Sequence, residues 1–433
     1  MSPVDGGKLL GMRTAVLPLL LAVLAVGCSD ATDDAAPSTS AAASTSRSTT
    51  TSAAPASTTT TTTSTTTIPP AVAFVDDLVA GLSARELAQQ LVVFGDAGRI
   101  EAELVEETGT LCFGGLFVTD LSENWRPVDS VDAAASAMAA LRSSFSACSI
   151  PPFVATDAEV GANVLRVPVD PLPDAQTLEA NHRADPGTTS EGLAPAASVF
   201  AASLRAVGVD VNFGVVADVD AADGFYMDTA GRSFGSDPNT VGEITSALIE
   251  GHCAAGVAPA LKHFPNQGST EADPHLDDSF SINDAAAWRT VGAIPYESTN
   301  APMVMVGHIR YPSIDGGTPA SLSTTIVSGW LRSELGYEGV VITDDLLVMR
   351  GAGRELSPAQ RAIDALVAGA DLALFVDAER GVATIDAIEE RILTDEAFAA
   401  KARVSAARTV RLKGALGLLP GAEPDWFSLC ASR

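Results

Sequence analysis

The chain has 433 residues, with 54 acidic against 26 basic side chains and a formal net charge of −28 at pH 7. An apolar share of 46% excludes a wholly disordered chain, and five cysteines in this length exclude a disulfide-dense miniprotein. So negative a charge argues against a nucleic-acid partner, whose phosphates it would repel.

The first segment carries Lys8 and Arg13, then an apolar run from Ala15 to Val26 that ends Gly27-Cys28. That run is well short of the roughly 20 residues needed to span a bilayer as a helix. A basic flank, a short apolar core and small residues before a cleavage point read as an export signal over residues 1–27. Leu24-Ala25-Val26-Gly27-Cys28 resembles a bacterial lipobox, with Ala25 where Leu is usual. The resemblance implies that Cys28 is diacylated and becomes the mature N-terminus; an ordinary secretory signal is the alternative. Residues 28–70 follow as a linker, nearly all Ser, Thr, Ala and Pro from Pro37 to Pro70 and including the run Thr58–Thr63. Such a stretch has no apolar face to offset the entropy of ordering, so it is expected to be a disordered stalk. The expected location is outside the cell, lipid-anchored to the outer face of the membrane.

The remaining chain alternates short Val/Ile/Phe-rich runs with Ala-rich amphipathic stretches. The runs predict strands at Leu91–Phe94, Phe113–Thr119, Phe153–Thr156, Val209–Val216, Ala258–His263, Met303–Gly307, Val340–Thr343 and Leu372–Val376. Helical patterns lie between them, as at Val131–Phe145, Asn239–Ala255, Ile326–Leu335 and Pro358–Ala368. Continuous apolar strands alternating with helices indicate a parallel sheet covered on both faces. Eight repeats predict a single α/β domain, a (β/α)8 TIM-type barrel over residues 71–425, followed by a short tail at 426–433. No Gly-x-Gly-x-x-Gly sits at the first strand–helix turn, which weighs against a dinucleotide fold.

Ionisable residues gather where these strands end. Asp157 and Glu159 follow the third strand and Arg232 the fourth; Lys262-His263 close the fifth, His308 the sixth and Asp344-Asp345 the seventh. In such a barrel the C-terminal strand ends form one rim, where active sites sit. Each residue alone could cap a helix or pair on the surface. Their convergence on one mouth points to a site.

The segment Lys262-His263-Phe264-Pro265-Asn266-Gln267-Gly268, with Asp273-Pro274-His275 beyond, resembles the signature loop of family 3 glycoside hydrolases, in their β-N-acetylhexosaminidase branch. Arg232-Ser-Phe-Gly-Ser-Asp-Pro238, Val341-Ile-Thr-Asp344-Asp345 and Asp157-Ala-Glu159-Val-Gly161 are similar to three further motifs of that branch, in the same order. The resemblance implies hydrolysis of a terminal β-linked N-acetylglucosamine with retained configuration, on cell-wall or other glycoconjugate fragments. It implies Asp344 as nucleophile, with Asp345 facing the other side of the strand as a structural residue. It implies His275 as acid/base, oriented by Asp273, where most retaining enzymes use a second carboxylate. Sugar recognition falls to Asp157, Arg166, Arg232, Lys262 and His263, while His308 supports the rim.

Some positions depart from the family pattern. Asn266-Gln267 stands where Gly-His is expected, Pro274 where Ser or Thr is, and Ala158 and Val160 alter the Asp157 loop. Asn in place of Gly predicts a changed backbone or a left-handed turn, and Pro274 restricts Asp273. Two alternatives therefore stay open: a phosphorylase using the same dyad, and a wall-binding lipoprotein on a barrel that no longer catalyses. The family needs no cofactor, and the scattered histidines give no metal spacing. The expected partner is the carbohydrate alone, and the expected state a monomer. Among the four remaining cysteines we expect Cys112–Cys148 and Cys253–Cys430 bridges, in keeping with export; buried free thiols are the alternative.

Overall fold

The apolar runs form eight strands in the computed structural model of the protein: β1 (Val92–Asp96), β2 (Gly115–Val118), β3 (Phe153–Thr156), β4 (Val211–Val216), β5 (Ala258–Phe264), β6 (Met303–Val306), β7 (Val340–Asp345) and β8 (Leu372–Phe375). All pair in parallel and in chain order, and β8 returns to β1 to close the barrel. The structure describes residues 69–96, 111–118, 130–161, 171–297, 300–347, 349–423 and 428–430. The chain divides into two units, and the second, Thr66–Arg433, holds the barrel. The expected export signal, Cys28 and Arg166 lie outside the described residues, as does the stalk up to residue 68.

Alternation along each strand sorts the side chains into two cores. Phe153, Ala155, Val211, Phe213, Ala258, Ala260, Met303, Met305, Val340, Ile342, Leu372 and Leu374 belong to the cluster inside the barrel. Val154, Val304, Val306, Val341, Ala373 and Phe375 belong to the one shared with the helices. That period of two, with both faces covered, is why the strands read as continuous apolar runs.

The helices begin and end on local signals. Pro358–Ala368 starts where Ser357 Oγ accepts the Gln360 N–H at 3.2 Å, and Pro238–Ala254 starts on the Asp237 carboxylate with Pro238 at the first position. The helix expected at Ile326–Leu335 differs in kind: Thr325–Glu334 is a π-helix, whose closing bond runs from Leu335 N–H to Trp330 C=O at 2.9 Å. Its wider turn lays Trp330 flat on Trp288, with ring centroids 4.0 Å apart.

At the opposite end from the rim, a buried carboxylate ties neighbouring strands together. Asp371 Oδ2 accepts the Val341 N–H of β7 at 2.9 Å and pairs with Arg332, while Oδ1 pairs with Arg408 at 3.1 Å. Asp371→Ala should lower unfolding free energy by about 3 kcal/mol in urea titrations, because two cations and a strand N–H lose their partner. A loss below ~1 kcal/mol would show that water replaces the carboxylate. Cys112 is bonded to Cys148 (Cα–Cα 5.5 Å) and Cys253 to Cys430 (Cα–Cα 6.0 Å). The second bridge fastens the C-terminal segment to the helix Pro238–Ala254.

Candidate active site

Strand alternation carries the first two site residues to the mouth. In β5, Ala258 and Ala260 point inward and Lys262 is next on that face; in β7, Val340 and Ile342 are followed by Asp344. The register of β5 on β6 shifts between Leu261 and Phe264, an irregularity of the kind that re-aims side chains. His263 emerges there beside Lys262.

Lys262 is the hub of a charge network, with its side chain only 1% exposed. Its Nζ donates to both carboxylate oxygens of Asp157, at 2.7 and 2.8 Å, and lies 2.7 Å from Glu159 Oε1. Glu159 in turn takes a fork from Arg232, Nε at 3.0 Å and Nη2 at 2.6 Å. Burial opposes every one of these charges. For Glu159 the Lys262 and Arg232 cations outweigh it and hold the carboxyl well below its ordinary value. For Lys262 the two carboxylates outweigh it and raise the ammonium above the usual lysine value. Two cations facing two anions, partly open to the mouth, suit the paired hydroxyls of a sugar.

The Asp157–Glu159 loop is clasped through its backbone. Asn212 on β4 accepts the Ala158 N–H at 2.9 Å and donates to the Ala158 carbonyl at 3.0 Å. Gly214 lets β4 pass under the loop, since a Cβ there would sit 2.1 Å from the Ala158 carbonyl oxygen. The family departure at Ala158 therefore falls where the polar contacts use main-chain atoms and the methyl is buried in the core.

Asp344 and Asp345 separate as expected. Asp345 turns from the mouth and accepts the Val376 N–H at 2.9 Å. Asp344 faces inward, 3.9 Å from His263 Nε2. Burial alone would raise the Asp344 carboxyl, but the neighbouring imidazoles, His263 first, and the bond from the Asp345 N–H outweigh it and lower it. His308 Nε2 donates to the Asp345 carbonyl at 2.9 Å, so Nδ1 is left to accept from Ser321 Oγ at 2.8 Å. Burial pushes this imidazole down, toward the neutral form those bonds require. His308 is thus a strut between β6 and β7.

The acid/base candidates form their pair. Asp273 Oδ1 lies 2.7 Å from His275 Nδ1 and also accepts the His275 N–H at 2.9 Å. Pro274 does not part them, and its carbonyl accepts the Gly351 N–H at 3.2 Å. The expectation of a left-handed turn at Asn266 is corrected. Its φ is 168°, extended backbone open to any residue. The Asn266 amide instead bridges loops, accepting the Val219 N–H at 2.9 Å and donating to the Val219 carbonyl at 3.0 Å. The glycine that matters is Gly268, where a Cβ would meet the Val219 carbonyl oxygen at 2.3 Å.

Of the expected residues, Asp157, Arg232 and Lys262 meet in one network that includes Glu159, His263 lies 3.9 Å from Asp344, and Asp273 pairs with His275. Three contributors have no assigned role among the expected site residues. Glu159 is the shared anion of the network. Asp218, two residues past β4, accepts His263 Nδ1 at 2.7 Å and so turns Nε2 toward Asp344. Its position at a strand end, like that of Asp157, is the signal that would have found it. Tyr226 touches Arg232 Nη1 at 3.4 Å, and no sequence signal marks it. Among the described residues, no group of three or more His, Cys, Asp or Glu side chains is arranged to hold a metal ion.

Residues 83–412 match the glycosyl hydrolase family 3 N terminal domain. The chain is 35% identical over 226 residues to the beta-hexosaminidase LpqI of Mycobacterium tuberculosis, covering 49% of this chain and 56% of that protein. It is 37% identical over 230 residues to a beta-hexosaminidase of Bordetella avium, covering 52% of this chain and 64% of that one. The aligned stretch thus spans less than two thirds of either relative. Among solved structures, the beta-N-acetylhexosaminidase from Beutenbergia cavernae superposes with a TM-score of 0.68 at 30% identity, covering 77% of this chain and 99% of that chain. LpqI of Mycobacterium tuberculosis superposes with a TM-score of 0.66 at 27% identity, covering 77% and 95%.

Proposed function

Because this chain belongs to the glycosyl hydrolase family 3 N terminal domain family, we propose that it is a retaining exo-β-N-acetylglucosaminidase acting on cell-wall or other glycoconjugate fragments. The observation that carries this reading is the intact Asp273–His275 hydrogen bond of 2.7 Å on the rim that also holds Asp344. Asp157, Arg232, Lys262 and His263 grip the terminal sugar. The Asp344 carboxylate attacks the anomeric carbon as the bond to the leaving oxygen breaks. His275 gives its Nε2 proton to that oxygen, while its Nδ1–H stays on Asp273. The product is a glycosyl ester on Asp344. Neutral His275 then takes a proton from water, whose oxygen attacks the same carbon and frees Asp344; two inversions retain the configuration. Asp273 is suited to its part: burial would raise its carboxyl, but the bonds from His275 outweigh that and keep it below the ordinary value.

The Cys28 lipobox and the stalk give this enzyme a lipid anchor at the outer face of the membrane, within reach of wall fragments. One assay tests both halves of the reading. Extracts of cells expressing the full chain should release chromophore from a chromogenic β-N-acetylglucosaminide equally with and without phosphate. They should also free N-acetylglucosamine from peptidoglycan fragments. Activity should stay with the membranes and move to the medium in Cys28→Ser. Turnover only with phosphate would make the protein a phosphorylase, and none under either condition would leave a binding protein. Activity in the medium from both forms would refute the anchor.

A further inference from the structure

We propose that Tyr226 is a positioning residue that locks the acid/base pair onto the sugar-binding cations; this rests on the assignment of His275 as acid/base. Tyr226 opens the short helix Tyr226–Thr229 in the loop after β4, and its N–H donates to the Thr270 carbonyl of the loop after β5 at 3.0 Å. The two loops are therefore fastened together beside the dyad. The phenol then bridges the two halves of the site. Its oxygen lies 3.4 Å from Arg232 Nη1 and 3.5 Å from His275 Nδ1.

The donor count fixes the direction of this chain. Arg232 has only donors, so the phenol oxygen accepts from it. The His275 Nδ1 proton goes to Asp273 Oδ1, 2.7 Å away. Only the His275 Nε2 edge is then left for a substrate. The other two Arg232 nitrogens are committed to Glu159, and Glu159 to Lys262. A continuous path of polar contacts thus runs from Lys262, through Glu159, Arg232 and Tyr226, to the His275–Asp273 pair. The side chain of His275 is half exposed, at 49%, and its loop needs such a tether to meet the leaving oxygen in one geometry.

The test is Tyr226→Phe, which keeps the ring and deletes only the bridge. The expected result is a fall of roughly tenfold in kcat/KM for an alkyl β-N-acetylglucosaminide, whose leaving oxygen needs a proton. With a dinitrophenyl leaving group, which departs unprotonated, kcat/KM should stay within about twofold. The melting temperature should be unchanged. Equal losses on both substrates, or no loss on either, overturn the proposal. His275→Ala is the control. If it slows the alkyl substrate and Tyr226→Phe does not, the tether alone is refuted. If it slows neither, the acid/base assignment and the tether fall together.

Discussion

Asp344→Ala should lower kcat/KM on any β-N-acetylglucosaminide by on the order of 10⁴-fold or more, with the fold intact. The fold tolerates the change because Asp344 makes few bonds to the protein. Its Oδ1 accepts the Asp345 N–H at 2.8 Å, and its Oδ2 stands 3.9 Å from His263. Catalysis does not tolerate it, because no other carboxylate is assigned to the anomeric carbon. The stereochemistry of rescue gives the decisive readout. Azide added to Asp344→Ala enters the vacated face, opposite the leaving oxygen, and one displacement gives an α-glycosyl azide. Added to His275→Ala, azide attacks the glycosyl ester on Asp344 from the other face and gives the β product. A β-glycosyl azide from Asp344→Ala would mean that another group, such as the substrate's own acetamide, performs the first displacement.

The barrel was legible in the sequence because its strands are covered on both faces. Apolar residues such as Met303-Val304-Met305-Val306 fill the inner and outer cores in turn, so the run is unbroken and stands out. Asp344 and Lys262 were legible for the same reason, as polar residues closing strands that are otherwise apolar. What stayed hidden depends on partners far along the chain. Asn266 reads as a poor glycine until its amide is found on Val219, 47 residues earlier. Asp218 has no visible partner in the sequence, and only the fold sets it against His263, 45 residues later. Tyr226 lies in a polar loop with no periodicity, and only the approach of the β4 and β5 loops gives it a role. The π-helix was hidden for another reason: one extra residue in a turn barely changes the apolar spacing that the sequence displays.

Lys262→Met should cost about 3–5 kcal/mol of stability at pH 7, and activity with it, because it breaks a buried network from its centre. Met keeps the length and the apolar stem, so the deleted element is the charge. Lys262 Nζ now serves three carboxylate oxygens at 2.7–2.8 Å, and without it Asp157 and Glu159 must share Arg232. The sign of the pH dependence follows from each group. Glu159 is held below its ordinary value in the folded protein, burial being outweighed by Lys262 and Arg232. Its stabilisation is therefore present above the unfolded value of about 4.3 and lost as the pH falls toward the folded one. Lys262 is raised, so its own contribution is constant through neutrality and is lost only at alkaline pH. Asp157 is already pushed up by burial against the pull of Lys262, with the Glu159 charge adding to the push, and is the first to take a proton once the ammonium is gone. Urea unfolding of wild type and variant should thus differ most near pH 7, draw closer as Asp157 takes its proton in the variant, and converge only below pH 4, where wild-type Glu159 loses its stabilisation. kcat/KM for the variant should fall by on the order of 10²-fold or more, since the grip on the sugar is lost before and during the reaction. A stability difference that stays the same from pH 7 to well below pH 4 would locate the cost in packing, and the charge network would then be a minor term in holding the rim together.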